Sequence, residues 1–226
     1  MKAKQGQIIE KVSHYETGQV RERKYVRNGK LEGTYTSYYR NGQVMVRLQF
    51  VDGHREGEAV SYYSDGTLRE RASYRNDKLV GEYTSYYENG QLREREYYRQ
   101  GCLEGMYVCY YRNGQVKDQE QFQDGKFAGP YLSYFKNGVL RERGSFRNDK
   151  RDGLYEAFYR SGRLKERAEY RRGRLLGTFQ VYEESDEQGR KADADGILET
   201  DGEATNRWID GLLRELNDFD TKESPP

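Results

Sequence analysis

The chain has 226 residues, a mean hydropathy of −1.17 and a net charge of only +1. Such polarity is common in disordered chains, but 22 tyrosines, 8 phenylalanines and only 3 prolines predict a folded protein whose apolar surface comes from aromatic rings. The two cysteines, the polar N-terminus and the lack of a long apolar run argue against a disulfide framework, a secretory leader and a membrane span. We therefore expect a cytoplasmic location.

A 24-residue repeat occupies residues 1–182 in about seven copies. Two glycine columns, which begin at Gly18 and Gly33, recur at this period without a slip. Two aromatic columns, which include Tyr38 and Tyr39, keep the same phase. Chance does not hold several columns in register over so many copies, so each copy is one structural unit.

Each copy predicts a β-hairpin. Two runs of alternating side-chain character flank an Asn-Gly or Asp-Gly pair, such as Asn41-Gly42. Such a pair favours a two-residue turn with φ > 0 at both positions. A longer turn closes the unit, and Asp77 and Asp149 replace its first glycine at a position that we expect to be left-handed. The repeat therefore predicts an all-β fold, an elongated single-layer antiparallel β-meander of about 14 strands, ~65 Å long.

The two faces of this sheet differ in chemistry. A two-residue turn pairs Tyr39 with Val44 and Tyr38 with Met45, and paired residues share a face. One face then carries tyrosines and the carboxylates of Glu70, Glu94, Glu142 and Glu166, and we expect it to be the packed side. The other face carries a tyrosine–arginine stripe, which is the candidate binding site. This predicted stripe comprises Tyr38, Tyr62, Tyr86, Tyr110, Tyr134, Arg47, Arg69, Arg71, Arg93, Arg95, Arg141, Arg143 and Arg167.

The repeat unit resembles a known family. The pattern Gly-x-Tyr-x-x-Tyr-Tyr-x-Asn-Gly-Gln-Leu, as in residues 81–92, is similar to the variant MORN repeat of bacterial YwqK-like proteins, which are described as antitoxins. The resemblance covers roughly residues 8–182. It implies an elongated, curved, single-layer meander that binds protein segments or, in some members, associates with phospholipid.

The C-terminal part of the chain differs in charge from the repeats. Residues 183–226 hold 14 acidic and 5 basic side chains, a balance of −9, whereas residues 1–182 have 24 acidic and 34 basic side chains, a balance of +10. Residues 183–204 read as an acidic linker, and Thr205 can cap a helix over residues 205–220. The apolar side of this helix is formed by Trp208, Ile209, Leu212, Leu213 and Leu216.

This helix has two interpretations. We expect it to cap the last hairpin, because an open array needs its terminal edge covered. Alternatively, the acidic tail folds back over the basic stripe or presents the helix to a partner.

The residue pattern offers little for catalysis. His14 and His54 occupy a repeat column and a turn, and Cys109 stands in a column of small residues. The repetition of the carboxylates indicates a structural ladder rather than an acid–base pair. We therefore predict a non-enzymatic protein with no cofactor and no metal.

The stripe predicts a protein-interaction module or scaffold, antitoxin-like in kind, that binds an acidic or helical segment of another protein. The alternative is peripheral binding of anionic phospholipid, which would bring the chain to a membrane. Nucleic acid is disfavoured because the sequence pI is near 7.7. A third hypothesis is self-association through the N-terminal strand around Ile8, Ile9 and Val12.

Overall fold

A computed structural model of the chain describes residues 6–184, which form one antiparallel sheet. Fifteen long strands follow one another as a meander, and five two-residue strands lie beside them. The expected all-β, single-layer meander is confirmed, and fifteen long strands at ~4.8 Å spacing extend for about 67 Å. In chain order the strands are β1 Ile9–His14, β2 Val20–Arg27, β3 Lys30–Leu31, β4 Gly33–Tyr38, β5 Val44–Val51, β6 His54–Arg55, β7 Gly57–Tyr62, β8 Leu68–Arg75, β9 Lys78–Leu79, β10 Gly81–Tyr86, β11 Leu92–Arg99, β12 Cys102–Leu103, β13 Gly105–Tyr110, β14 Val116–Gln123, β15 Lys126–Tyr134, β16 Leu140–Arg147, β17 Lys150–Arg151, β18 Gly153–Phe158, β19 Leu164–Arg171 and β20 Arg174–Val181.

The tight two-residue turns lie between successive repeats. Asn28 and Gly29, between β2 and β3, have φ values of +52° and +82°, as the mirror-image type I′ turn requires. The left-handed conformation predicted for Asp77 and Asp149 is confirmed, with φ values of +63° and +62°. These turns stack on one another, because the second residue of each donates its N–H to a carbonyl of the preceding turn region, as Gly53 does to Leu31 at 2.8 Å.

The Asn-Gly pair within each repeat forms a different turn from the one predicted. Gly42 has a φ of +85°, but Asn41 is not left-handed. The N–H of Gly42 donates to the carbonyl of Tyr39 at 2.9 Å, and the N–H of Tyr39 donates to the carbonyl of Gln43 at 2.8 Å. The loop therefore has three residues and ends in a left-handed glycine, which makes the prediction of a two-residue turn wrong here.

A β-bulge follows this turn in each of the seven hairpins. In the second hairpin Ser37 pairs with Val46 as predicted, but Tyr38 pairs with Val44, so Met45 is an extra residue on β5. Because paired residues share a face, the aliphatic column of Val44 joins Tyr38 rather than Tyr39. The predicted register is confirmed from Ser37 outward and wrong next to the turn.

A column of tyrosine hydroxyls links neighbouring repeats. The hydroxyl of Tyr39 donates to the backbone carbonyl of Tyr62, in the next repeat, at 2.8 Å. Phe135 occupies the same column and cannot donate such a bond. Except at Phe135, the column thus ties each repeat to its successor. The donors are Tyr15, Tyr39, Tyr63, Tyr87, Tyr111 and Tyr159.

The core lies on the face that was predicted to be packed. Tyr155, Ala157, Ala168 and Tyr170 form a buried cluster, with exposed fractions of 2% to 6%. The rings of Tyr155 and Tyr170 meet edge to face at a centroid distance of 6.3 Å. Similar ring pairs recur along the sheet. Aromatic contacts along one face therefore provide the burial that a second layer would otherwise supply.

Candidate interaction surface

The five tyrosines of the predicted stripe lie on one face of the sheet. Tyr38 is paired with Val44, and the guanidinium of Arg143 lies 5.6 Å from the ring centroid of Phe158, which occupies the Tyr38 column. These contacts place the Tyr38 and Arg47 columns on the same side, which we call the tyrosine–arginine face. The opposite side is the tyrosine–glutamate face. All five predicted tyrosines are half-buried, namely Tyr38, Tyr62, Tyr86, Tyr110 and Tyr134.

One row of directly opposed residues crosses the tyrosine–arginine face on all fifteen long strands. We call it the central row. Arginine stands at every second position of the row between Arg23 and Arg167, except at Gln119. The row consists of Val12, Arg23, Thr36, Arg47, Val60, Arg71, Thr84, Arg95, Val108, Gln119, Leu132, Arg143, Glu156, Arg167 and Gln180.

Carboxylates neutralise most of the predicted arginines of the central row. The Nε atoms of Arg71 and Arg95 lie 3.4 Å and 3.1 Å from carboxylate oxygens of Glu58 and Glu82. Arg47 has no carboxylate within ion-pair distance among residues 6–184. These pairs are exposed and contribute little to stability, but they make the face a pattern of alternating charges.

Glu156 replaces the usual small residue of the central row and binds two arginines. Its carboxylate is 2% exposed and accepts hydrogen bonds from Nε of Arg143 at 2.5 Å and Nε of Arg167 at 2.9 Å. Burial alone would raise the pKa of Glu156, but the two guanidinium hydrogen bonds outweigh it and lower the pKa below its usual value. Glu156 is therefore ionised and holds three strands together.

Three arginines of the predicted stripe lie on the opposite face. Consecutive residues of a regular strand point to opposite sides, yet Nη2 of Arg93 lies 3.3 Å from Oε1 of Glu94, and Nε of Arg141 lies 3.4 Å from Oε1 of Glu142. Arg69 likewise has its guanidinium 5.9 Å from the ring centroid of Tyr63. These arginines occupy the bulge position, which turns them onto the tyrosine–glutamate face. The prediction of one continuous stripe is wrong for this reason.

The tyrosine–glutamate face contains buried carboxyl groups. Burial, aided by the charge of Asp118, raises the pKa of Glu120 to about 8. Burial also raises the pKa of Glu142, against the opposing effect of Arg141. Burial and Asp118 raise the pKa of Cys109 to about 12, and its thiol donates to Oδ2 of Asp118 at 3.3 Å. The Cys109 thiol is thus protonated and poorly suited to act as a nucleophile.

A neutral, apolar area interrupts the tyrosine–arginine face in its middle. We call it the neutral patch; Val108, Gln119 and Leu132 form its part of the central row, with Met106 and Pro130 beside them. Met106 is 48% exposed, and Pro130 is also exposed. The sequence prediction missed this patch, although its signal was the loss of charged residues from columns that are charged elsewhere.

The remaining predicted site residues belong to the predicted C-terminal helix, which lies outside the residues that the structure describes. Trp208, Ile209, Leu212, Leu213 and Leu216 lie beyond residues 6–184. Among residues 6–184, no cluster of side chains suited to holding a metal ion is found, and no helix has the length and apolar character needed to cross a membrane.

The N-terminal edge of the sheet exposes apolar side chains. Within the described part of the chain β1 pairs only with β2. Ile8, Ile9 and Val12 are 49%, 57% and 40% exposed. Self-association through this edge stays a prediction.

Two solved structures that resemble the chain match it at low sequence identity. A protein of unknown function from Bacteroides fragilis is 11% identical, with 78% of this chain and 93% of that chain covered and a TM-score of 0.14. TcdB2-TccC3 is also 11% identical, with 76% of this chain and 14% of that chain covered and a TM-score of 0.17. Both scores are too low to support an argument about fold or function.

The family is identified from the repeats. No curated protein matches the chain. The family model of the MORN repeat variant matches six consecutive segments that together span more than half of the chain, residues 31–52, 55–76, 79–100, 103–124, 128–148 and 151–172. The predicted resemblance to the variant MORN repeat is thereby confirmed, while the YwqK-like group stays a prediction, and the chain belongs to the MORN repeat variant family.

Proposed function

We propose that the chain is a non-enzymatic scaffold that binds a segment of another protein along its tyrosine–arginine face. The observation that supports this proposal is the central row, which repeats the same chemistry on strand after strand. An extended or helical partner can follow such a row and meet a half-buried tyrosine and an arginine in most repeats. Of the predicted stripe, the proposed contact residues are Tyr38, Tyr62, Tyr86, Tyr110, Tyr134, Arg47, Arg71, Arg95, Arg143 and Arg167.

The pairing of charges favours a protein partner over an anionic membrane. Glu58, Glu82 and Glu156 pair with four arginines of the central row, which weakens the local positive charge that would attract a bilayer. Acidic side chains of a partner can exchange with the exposed carboxylates of Glu58 and Glu82 at small cost. An antitoxin-like role, in which the scaffold masks an active protein, is the specific form of this proposal.

The bulge provides a matched control for the test. Arg71 and Arg95 lie on the tyrosine–arginine face, whereas Arg69 and Arg93, two residues earlier, lie on the other face. We would compare Arg71→Gln/Arg95→Gln with Arg69→Gln/Arg93→Gln in affinity purification at equal loading, after checking that both variants fold. The proposal expects a stoichiometric partner to be lost only from the first variant.

Two results would overturn the proposal. If the Arg69→Gln/Arg93→Gln variant alone loses the partner, binding occurs on the tyrosine–glutamate face. If no protein binds and the chain sediments with anionic vesicles at low salt but not at high salt, the membrane alternative replaces it.

A further inference from the structure

The neutral patch is a coordinated departure from the repeat. In the first four hairpins the column beside the central row holds Glu10, Thr34, Glu58 and Glu82, and each of its three carboxylates pairs with an arginine of the row. The next hairpin has Met106 in that column and, at the arginine position of the row, Gln119. Both partners of the ion pair are therefore replaced together, which leaves no unpaired charge and exposes an apolar side chain.

The apolar area continues into the following repeats. Pro130 and Leu154 occupy the same column as Met106, and Leu132 lies in the central row. Met106 and Leu154 are 48% and 47% exposed, and Tyr97, paired with Glu82 at the margin, is 52% exposed. Exposed apolar side chains on neighbouring repeats, with arginines at their borders, are typical of a docking surface.

We propose that the C-terminal segment of this chain occupies the neutral patch through the apolar side of its predicted helix. Burial of this apolar side and of the patch against each other would remove both from water. The residues of that side are Trp208, Ile209, Leu212, Leu213 and Leu216. Charge favours the contact, because the −9 of residues 183–226 opposes the +10 of residues 1–182. Arg95 and Arg143 border the patch along the central row, where their positive charges would attract an acidic segment.

The linker has a suitable length. The patch extends over β13, β14 and β15, which are four to six strand spacings from β20, or about 19–29 Å at ~4.8 Å per strand. Residues 185–204 give 20 residues of linker. A flexible chain of this length has a root-mean-square span of about 25 Å and a maximum of about 70 Å. The predicted helix therefore reaches the patch without strain.

Trp208 is the only tryptophan of the chain, so its fluorescence reports on the tail directly. In the unsubstituted 226-residue chain we expect blue-shifted emission and protection from acrylamide. Met106→Glu and, separately, Leu154→Glu place a negative charge in or beside the patch, and each should shift the emission to the red and remove the protection. Both side chains are about half exposed, so neither change disturbs the core. Circular dichroism would confirm that the sheet is intact.

Two further variants make the test decisive. Val12→Glu alters an apolar residue of the central row, 40% exposed, at the far end of the sheet, and should leave Trp208 unchanged. Leu176→Glu alters an exposed residue of the edge strand β20. If Leu176→Glu alone releases Trp208, the helix caps the terminal edge and the proposal is wrong. The proposal is equally wrong if Trp208 is fully quenchable in the parent. No partner protein enters this measurement, so its outcome is independent of the proposed function.

Discussion

The column of tyrosine hydroxyls should contribute measurably to stability. In Tyr87→Phe the chain loses the hydrogen bond from the hydroxyl to the carbonyl of Tyr110, which is 2.7 Å long, while the ring stays in place. Tyr87 is half-buried, so water can replace the donor only in part. We expect a loss of about 1 kcal/mol in the free energy of unfolding, the usual contribution of one neutral hydrogen bond. For a chain of this size that corresponds to a melting temperature about 2–4 °C lower.

The array contains its own controls for this experiment. Phe135 occupies the same column without a hydroxyl, so Phe135→Tyr should add the missing bond and raise the free energy of unfolding by up to about 1 kcal/mol. The hydroxyl of Tyr86 makes no hydrogen bond within residues 6–184, so Tyr86→Phe should be close to neutral.

Denaturant unfolding should be followed by both circular dichroism and fluorescence, because repeat arrays can unfold in parts. If Tyr87→Phe and Tyr86→Phe have equal effects, the hydroxyl column does not stabilise the array.

Three other predictions concern the sheet. Glu156→Gln should lower the free energy of unfolding by roughly 1–3 kcal/mol, measured in urea, because Arg143 and Arg167 lose their shared carboxylate; an unchanged midpoint would contradict this role. Gly105→Ala should lower the free energy of unfolding by about 1–2 kcal/mol in the same assay, because the φ of Gly105 is +84°. Gly144→Ala should be nearly neutral, since the φ of Gly144 is not positive and the added methyl would lie 3.6 Å from Tyr155. Equal losses in the two variants would refute the backbone argument. Because the pKa of Glu120 is raised from 4.5 to about 8, its carboxyl group keeps a proton between these two pH values in the folded state but loses it in the unfolded state. Stability should therefore fall as pH rises through that window, by up to roughly 1.4 kcal/mol per pH unit, and Glu120→Gln should flatten the slope in thermal melts from pH 5 to 8; an unchanged slope would assign it to other groups.

Much of the fold was determined by the sequence alone. The spacing of glycines and aromatic residues predicted the hairpin unit, the meander and the register from Ser37 outward. These features follow from turn residues and from side chains that alternate between the two faces of a strand, both of which depend on residues close together in the sequence. The left-handed positions of Asp77 and Asp149 followed in the same way. The break in the charged columns at Met106 and Gln119 was also present in the sequence, but its meaning depended on knowing that these columns are neighbours.

The tertiary structure decided which side chains share a face. Asn-Gly pairs occur in both kinds of turn, yet Asn28 is left-handed and Asn41 is not; within its three-residue turn, Oδ1 of Asn41 accepts the N–H of Gln43 at 3.0 Å. The three-residue turn and the bulge after it insert an extra residue opposite Tyr38. One inserted residue reverses the direction of the side chains beside it, and so Arg93 was separated from Arg95 by the thickness of the sheet. Such an insertion depends on pairing between strands, which no local pattern of residues specifies.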